Sequence, residues 1–227
     1  MRYELFGGNL PAVTVHLENG ESIYTQSGGM TWMTGDIKME TNMKGGLLKS
    51  LGRMVTGESM FMATYTAQAA GQSITLASSF PGEIIALDAA KGPYICQKNA
   101  FLCAQPEVAL SMYTVPGVKA GLFGGEGFLL QQLSGTGVAF LEIDGSMTEM
   151  NLRAGEKLKV QTGNVSAFEK SVKYSVETVK GFKNILFGGE GLFLTTLEGP
   201  GKVFLQTMTM PGFVSRILPF LPSKDNG

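Results

Sequence analysis

The phrase LFGGEG is written twice, at Leu122–Gly127 and Leu186–Gly191, and each copy runs into an apolar stretch, FLLQQL and LFLTTL. A turn-and-strand phrase that recurs at a fixed spacing constrains a chain to repeated units stacked on one another. The dipeptide Gly-Glu widens the pattern, since it occurs six times, at Gly20, Gly57, Gly82, Gly125, Gly155 and Gly189. Taken alternately, the first, third and fifth open GESIYTQ, GEIIALD and GEKLKVQ. The second, fourth and sixth open GESMFMATYTAQ, GEGFLLQQL and GEGLFLTTL. The expected organisation is a single domain of three units, 1–71, 72–144 and 145–210, with a short apolar tail over 211–227.

Each opened segment has strand character. ESIYTQ and EKLKVQ alternate polar and apolar residues, which buries one face. FLLQQL and LFLTTL are more apolar, as befits strands covered on both sides. Asn19-Gly20 and Asp144-Gly145 are tight-turn pairs. The 31 glycines carry no collagen period and fit many short strands joined by turns. No long helical period is present, and Pro219 and Pro222 stop any long helix in the tail.

The segment before the second Gly-Glu of each unit breaks the strand pattern: MKGGLLKSLGRMVT, VPGVKAGLFG and TVKGFKNILFG. All three mix glycine, basic residues and large apolar residues. Candidate interaction residues are Lys49, Leu51, Arg53 and Met54 in the first, and Lys119, Leu122 and Phe123 in the second. The third holds Lys180, Lys183, Leu186 and Phe187. Gly57, Gly124, Gly125, Gly127, Gly188, Gly189 and Gly191 are expected to shape the turns.

A hydrophobic share of 44% fits an ordered globular chain, and a net charge of −1 argues against duplex DNA as a partner. Cys96 and Cys103 form neither a disulfide framework nor a zinc pattern, and read as buried strand residues. His16, the one histidine, lies in the alternating strand AVTVHLENG and has no nucleophile beside it in sequence. GGEG lacks the Gly-Lys-Ser/Thr ending of a phosphate loop and precedes a strand. The opening MRYELFGGNL has no apolar core of a signal peptide, and no stretch approaches the roughly 20 apolar residues of a membrane helix. The expectation is a cytoplasmic protein with no metal and no cofactor. Met30, Met33, Met39 and Met43, around Trp32, read as core or interface packing.

The LFGGEG turns, the Gly-Glu strands and the three-unit layout resemble an uncharacterised TRAP-like family whose mitochondrial members are named for altered inheritance of mitochondria. The resemblance covers Tyr3 to Pro211. Its fold is related to that of the tryptophan RNA-binding attenuation protein, TRAP. It implies an all-β chain of three tandem TRAP-like double-stranded β-helix units, barrel- or sandwich-like, around a shared core. It also implies a ring-like homo-oligomer, a homotrimer, and no established reaction.

The expected function is a non-enzymatic binding or scaffold protein whose basic and apolar loops form an interaction rim in a symmetric oligomer. Its partner is a protein or a membrane surface. RNA binding around a ring, by analogy with TRAP, is the alternative, followed by a small-ligand pocket or enzyme within the barrel.

Overall fold

In the computed structural model, the described residues are 1–26, 29–42, 62–115, 129–178 and 193–221. Strands are their main element. The first seven are β1 (Arg2–Phe6), β2 (Ala12–Leu17), β3 (Ser22–Gln26), β4 (Met30–Met33), β5 (Ile37–Asn42), β6 (Met62–Ala67) and β7 (Gln72–Ala77). Six more follow: β8 (Gly82–Asp88), β9 (Tyr94–Gln97), β10 (Phe101–Ala104), β11 (Val108–Tyr113), β12 (Leu130–Gly135) and β13 (Val138–Asp144). The last six are β14 (Met147–Leu152), β15 (Lys157–Gln161), β16 (Val165–Glu169), β17 (Lys173–Thr178), β18 (Phe193–Glu198) and β19 (Gly201–Gln206). One short α-helix among the described residues, α1 (Met210–Ile217), follows β19, with Thr209 capping it by accepting from the Gly212 N–H (3.1 Å). The all-β expectation therefore holds.

The strands make four sheets, none closed: β1-β2-β7-β4, β5-β6-β3-β10-β13-β8, β11-β12-β9-β16-β19-β14 and β15-β18-β17. Barrel closure, one form the expected units could take, is thus not seen among the described residues. Every paired strand runs antiparallel to its neighbour, as short connections permit.

The core divides into three clusters, each between successive sheets. Val13, Val15, Ile74 and Leu76 of the first sheet meet Tyr65, Cys103 and Phe140 of the second. Phe101, Leu141 and Ile143 of the second meet Cys96, Leu133 and Phe204 of the third. Ile95, Phe168 and Val203 of the third meet Tyr174 and Leu197 of the fourth. The alternation read from the sequence explains the layering, because each strand gives alternate side chains to opposite faces. Cys96 and Cys103 are fully buried, as expected, and burial pushes the Cys96 thiol up to about 12 and the Cys103 thiol well above its ordinary value.

The pairings recur at an interval of six strands. β2 pairs β7, β8 pairs β13 and β14 pairs β19. β3 pairs β6, β9 pairs β12 and β15 pairs β18. β4, β10 and β16 pair β7, β13 and β19, each with a register shift at the same place: Met30/Trp32, Phe101/Cys103 and Val165/Ala167.

This recurrence corrects one expectation. Gly20 and Gly155 have φ of 82° and 77°, and each leads into the first strand of its pair, β3 or β15. Glu21 and Glu156 then turn back to accept the N–H groups of Glu18 and Arg153, both at 2.9 Å. Gly82-Glu83 is not equivalent to them. It opens β8, the counterpart of β2 and β14, and Glu83 accepts the Met147 N–H at 2.8 Å instead. Before β9 the matching turn is written Gly92-Pro93.

Candidate functional site

The candidate loop residues Lys49, Leu51, Arg53, Met54, Lys119, Leu122, Phe123, Lys180, Lys183, Leu186 and Phe187 lie outside the described residues. So do the turn glycines Gly57, Gly124, Gly125, Gly127, Gly188, Gly189 and Gly191. The strands flanking the three segments are described and equivalent. Each segment joins two neighbouring antiparallel strands, whose last pairs are Asn42↔Met62, Tyr113↔Leu130 and Thr178↔Phe193.

An exposed apolar surface lies at the N-terminal sheet, and of its residues the sequence singled out only Trp32, read with the methionines around it as core or interface packing. β1 is exposed along its whole length, and Leu5 and Phe6 are each 46% exposed. Trp32 on β4 is 55% exposed, with its ring centroid 6.3 Å from that of Phe6. Leu10, in the turn between β1 and β2, is exposed beside them in sequence. β1 is held to β2 by a full ladder from Arg2↔His16 to Phe6↔Ala12, so the exposed side chains sit on ordered backbone. His16 Nε2 lies 3.2 Å from Glu4 Oε1 on that ladder, a surface pair.

A second apolar surface lies at the other end of the chain. Helix α1 exposes Phe213, Val214 and Ile217, and Leu218, Phe220 and Leu221 follow it. Phe213 reaches back to Phe80 edge-on, with centroids 4.9 Å apart, which docks the helix on the segment between β7 and β8. A cleft under α1 is lined by Gln161, Asn164, Thr209, Phe213 and Arg216.

The polar groups of the interior serve the junctions between sheet halves. Glu142 accepts from Ser79 N–H (2.7 Å) and from the Ser78 and Ser79 hydroxyls (both 2.9 Å). Gln206, at the equivalent register position on β19, accepts from Asp144 N–H (3.3 Å). Burial first, and the Glu142 carboxylate second, push Asp144 up to about 6. Gln97 donates through Nε2 to the carbonyls of Gly163 (3.1 Å) and Val165 (2.6 Å). Gln26, its counterpart on β3, donates to the Lys98 carbonyl (3.4 Å). These contacts satisfy turn carbonyls and backbone amides, which is structural work. Among the described residues no cluster of three or more His, Cys, Asp or Glu side chains could hold a metal, and no helix is long and apolar enough to cross a membrane.

Comparison with known proteins places this architecture. The chain is 29% identical to an uncharacterised protein of Streptococcus pyogenes serotype M6 over 95% of its own length and 89% of that protein's. It superposes on the crystal structure of a Streptococcus pyogenes protein from a structural genomics consortium with a TM-score of 0.78. That match has 26% identity and covers 97% of this chain and 99% of the other. Residues 3–208 match the family described as Mitochondrial biogenesis AIM24. The chain therefore belongs to the AIM24 family.

Proposed function

We propose that the chain consists of three tandem TRAP-like units, β2–β7, β8–β13 and β14–β19, and acts as a non-enzymatic binding or scaffold protein within a symmetric homo-oligomer. Each unit is a six-stranded sandwich. Its first, third and sixth strands lie in one sheet and its second, fourth and fifth in the next. This moves the first boundary from residue 71 to the end of β7. Strand β1 stands outside the units as a cover for the edge of β2.

The observation that carries a binding role is the exposed aromatic pair Phe6 and Trp32, with ring centroids 6.3 Å apart on well-paired strands. Apolar side chains concentrated on ordered backbone mark an interaction surface. The basic and apolar composition of the three segments between the equivalent strand pairs, read from the sequence, supports the same role.

Native mass spectrometry of the purified full chain tests this reading. A discrete species at a multiple of the 24.2 kDa chain is the expected result. A single 24.2 kDa species at every concentration contradicts the oligomer. RNA retained at low salt and released at physiological salt would replace the scaffold role with RNA binding around the assembly.

A further inference from the structure

The four sheets have eight edge strands: β1 and β4, β5 and β8, β11 and β14, β15 and β17. Six of these follow one rule. β5, β11 and β17 are equivalent, and all are edges. β8 and β14 are edges, and their counterpart β2 is covered by the additional strand β1. The two exceptions are β4 and β15. The counterparts of β4 are β10 and β16, which are interior strands, and the counterparts of β15 are β3 and β9, also interior.

Within the chain these counterparts pair with each other. β10 pairs β3 through Cys103↔Thr25 and Ala104↔Tyr24. β16 pairs β9 through Ala167↔Cys96, Phe168↔Ile95 and Glu169↔Tyr94. Each of these seams joins two three-stranded halves into a six-stranded sheet. The N-terminal sheet is one such half plus β1, and the C-terminal sheet is the other half alone. Resting on the three-unit reading, we infer that β4 of one copy pairs antiparallel with β15 of a second copy, completing a sheet of the same strand order as the two within the chain.

The register follows from the ladders already present. Trp32 occupies the position of Cys103 and Ala167 against the neighbouring strand, and Val160 occupies that of Thr25 and Cys96. Trp32 therefore faces Val160, Met33 faces Lys159 and Thr34 faces Leu158. Burial marks what is missing. Cys103, Ala167 and Cys96 are fully buried and Thr25 is 1% exposed, whereas Trp32 is 55% exposed and β15 carries no buried side chain.

Two further details fit. Gln161 is exposed at the position of Gln26 and Gln97, both of which donate across their seams. By the Gln97–Val165 contact, Gln161 is placed to donate to the Met30 carbonyl of the second copy. Lys157 and Lys159 do not guard the open edge, since they reach across their own sheet to Glu198 on β18 (3.3 Å) and Glu177 on β17 (3.8 Å). The seam between copies lacks one contact of the internal seams, because Ala77 stands at the position of Glu142 and Gln206. A seam using different strands on each copy is heterologous, and it terminates only by closing a ring.

A disulfide tests the register. Residues opposite each other on antiparallel strands have Cα atoms about 4.5–5.5 Å apart, inside the disulfide range. In the full-length Trp32→Cys/Val160→Cys chain, mild oxidation is expected to link most of the protein into multimers that reductant resolves. Trp32→Cys/Lys159→Cys, one residue out of register and on the opposite face, is expected to stay monomeric on the same denaturing gel. Cys96 and Cys103 are buried and do not compete. Oligomers in native mass spectrometry without Val160-dependent cross-links would overturn this seam and leave the scaffold reading standing. A disulfide formed within one chain would also overturn it. A chain monomeric by both measurements would overturn the oligomer itself.

Discussion

Strands β16 and β4 hold the same position in the pairing pattern and live in different surroundings. On one side β16 pairs with β19 and β4 with β7, and both carry the same register shift. On its other side β16 meets β9, and all but its last residue are buried. On that side β4 meets no strand among the described residues, and its residues are exposed or half-buried. The sequences follow: VSAFE holds small and apolar residues, and MTWM holds large ones that a lone edge does not need. The difference teaches that strand identity here is set by topology, while residue choice is set by what lies across the seam.

The sharpest way to break the comparison is to cut equivalent residues in the two strands. Phe168 is fully buried, with its ring stacked on Tyr174 at 5.2 Å, and Phe168→Ala is expected to cost about 3–5 kcal/mol. Met33 is its counterpart, and Met33→Ala is expected to cost the isolated chain under about 1 kcal/mol. Urea unfolding of the two variants at low protein concentration checks the pair. Equal losses would mean that β4 is as enclosed as β16.

A smaller contrast lies in the seam glutamines. Gln97→Ala removes the bond to the Val165 carbonyl and one of the two to the Gly163 carbonyl, which Gln206 Nε2 also reaches (3.0 Å), and is expected to cost about 1 kcal/mol. Gln161→Ala is expected to leave the melting of the single chain unchanged and to weaken association, read as a shift of the oligomer–monomer midpoint to higher concentration.

The smallest effect concerns Asp144 at the internal seam. Its folded-state value is raised to about 6, so the native chain holds a proton that the unfolded chain has lost. The contribution of Asp144 to stability is therefore greatest below the ordinary carboxylate range and is lost as pH rises through about 6. Asp144→Asn is expected to flatten that fall and to add about 1 kcal/mol at pH 7, a figure discounted because the group is only half-buried. Urea midpoints across the acid range check it.

Much of this fold could be read from the residues. The alternation of ESIYTQ and EKLKVQ marks β3 and β15, and the apolar runs after the second, fourth and sixth Gly-Glu mark β6, β12 and β18 as equivalents. The third Gly-Glu misled because the chain writes the turn before β9 as Gly-Pro and places a Gly-Glu at β8, where Gly82 needs no positive φ and lies against the Ile143 carbonyl. The equivalence of MTWM, FLCA and VSAFE was invisible, since their residues answer to different neighbours. An open edge is likewise not a local property. Nothing in MTWM or EKLKVQ says that a partner strand is lacking until the pairings of the whole chain are compared. The candidate loop residues remain a reading from sequence.

Trp32 is the chain's only tryptophan, which makes the central claim directly measurable. Its fluorescence should be recorded over a dilution series alongside the sedimenting mass. If β4 pairs with β15 of a second copy, the emission is that of a buried indole in the assembly and shifts to longer wavelength as the mass falls to that of one chain. Emission of a water-exposed indole from an intact oligomer would contradict the account.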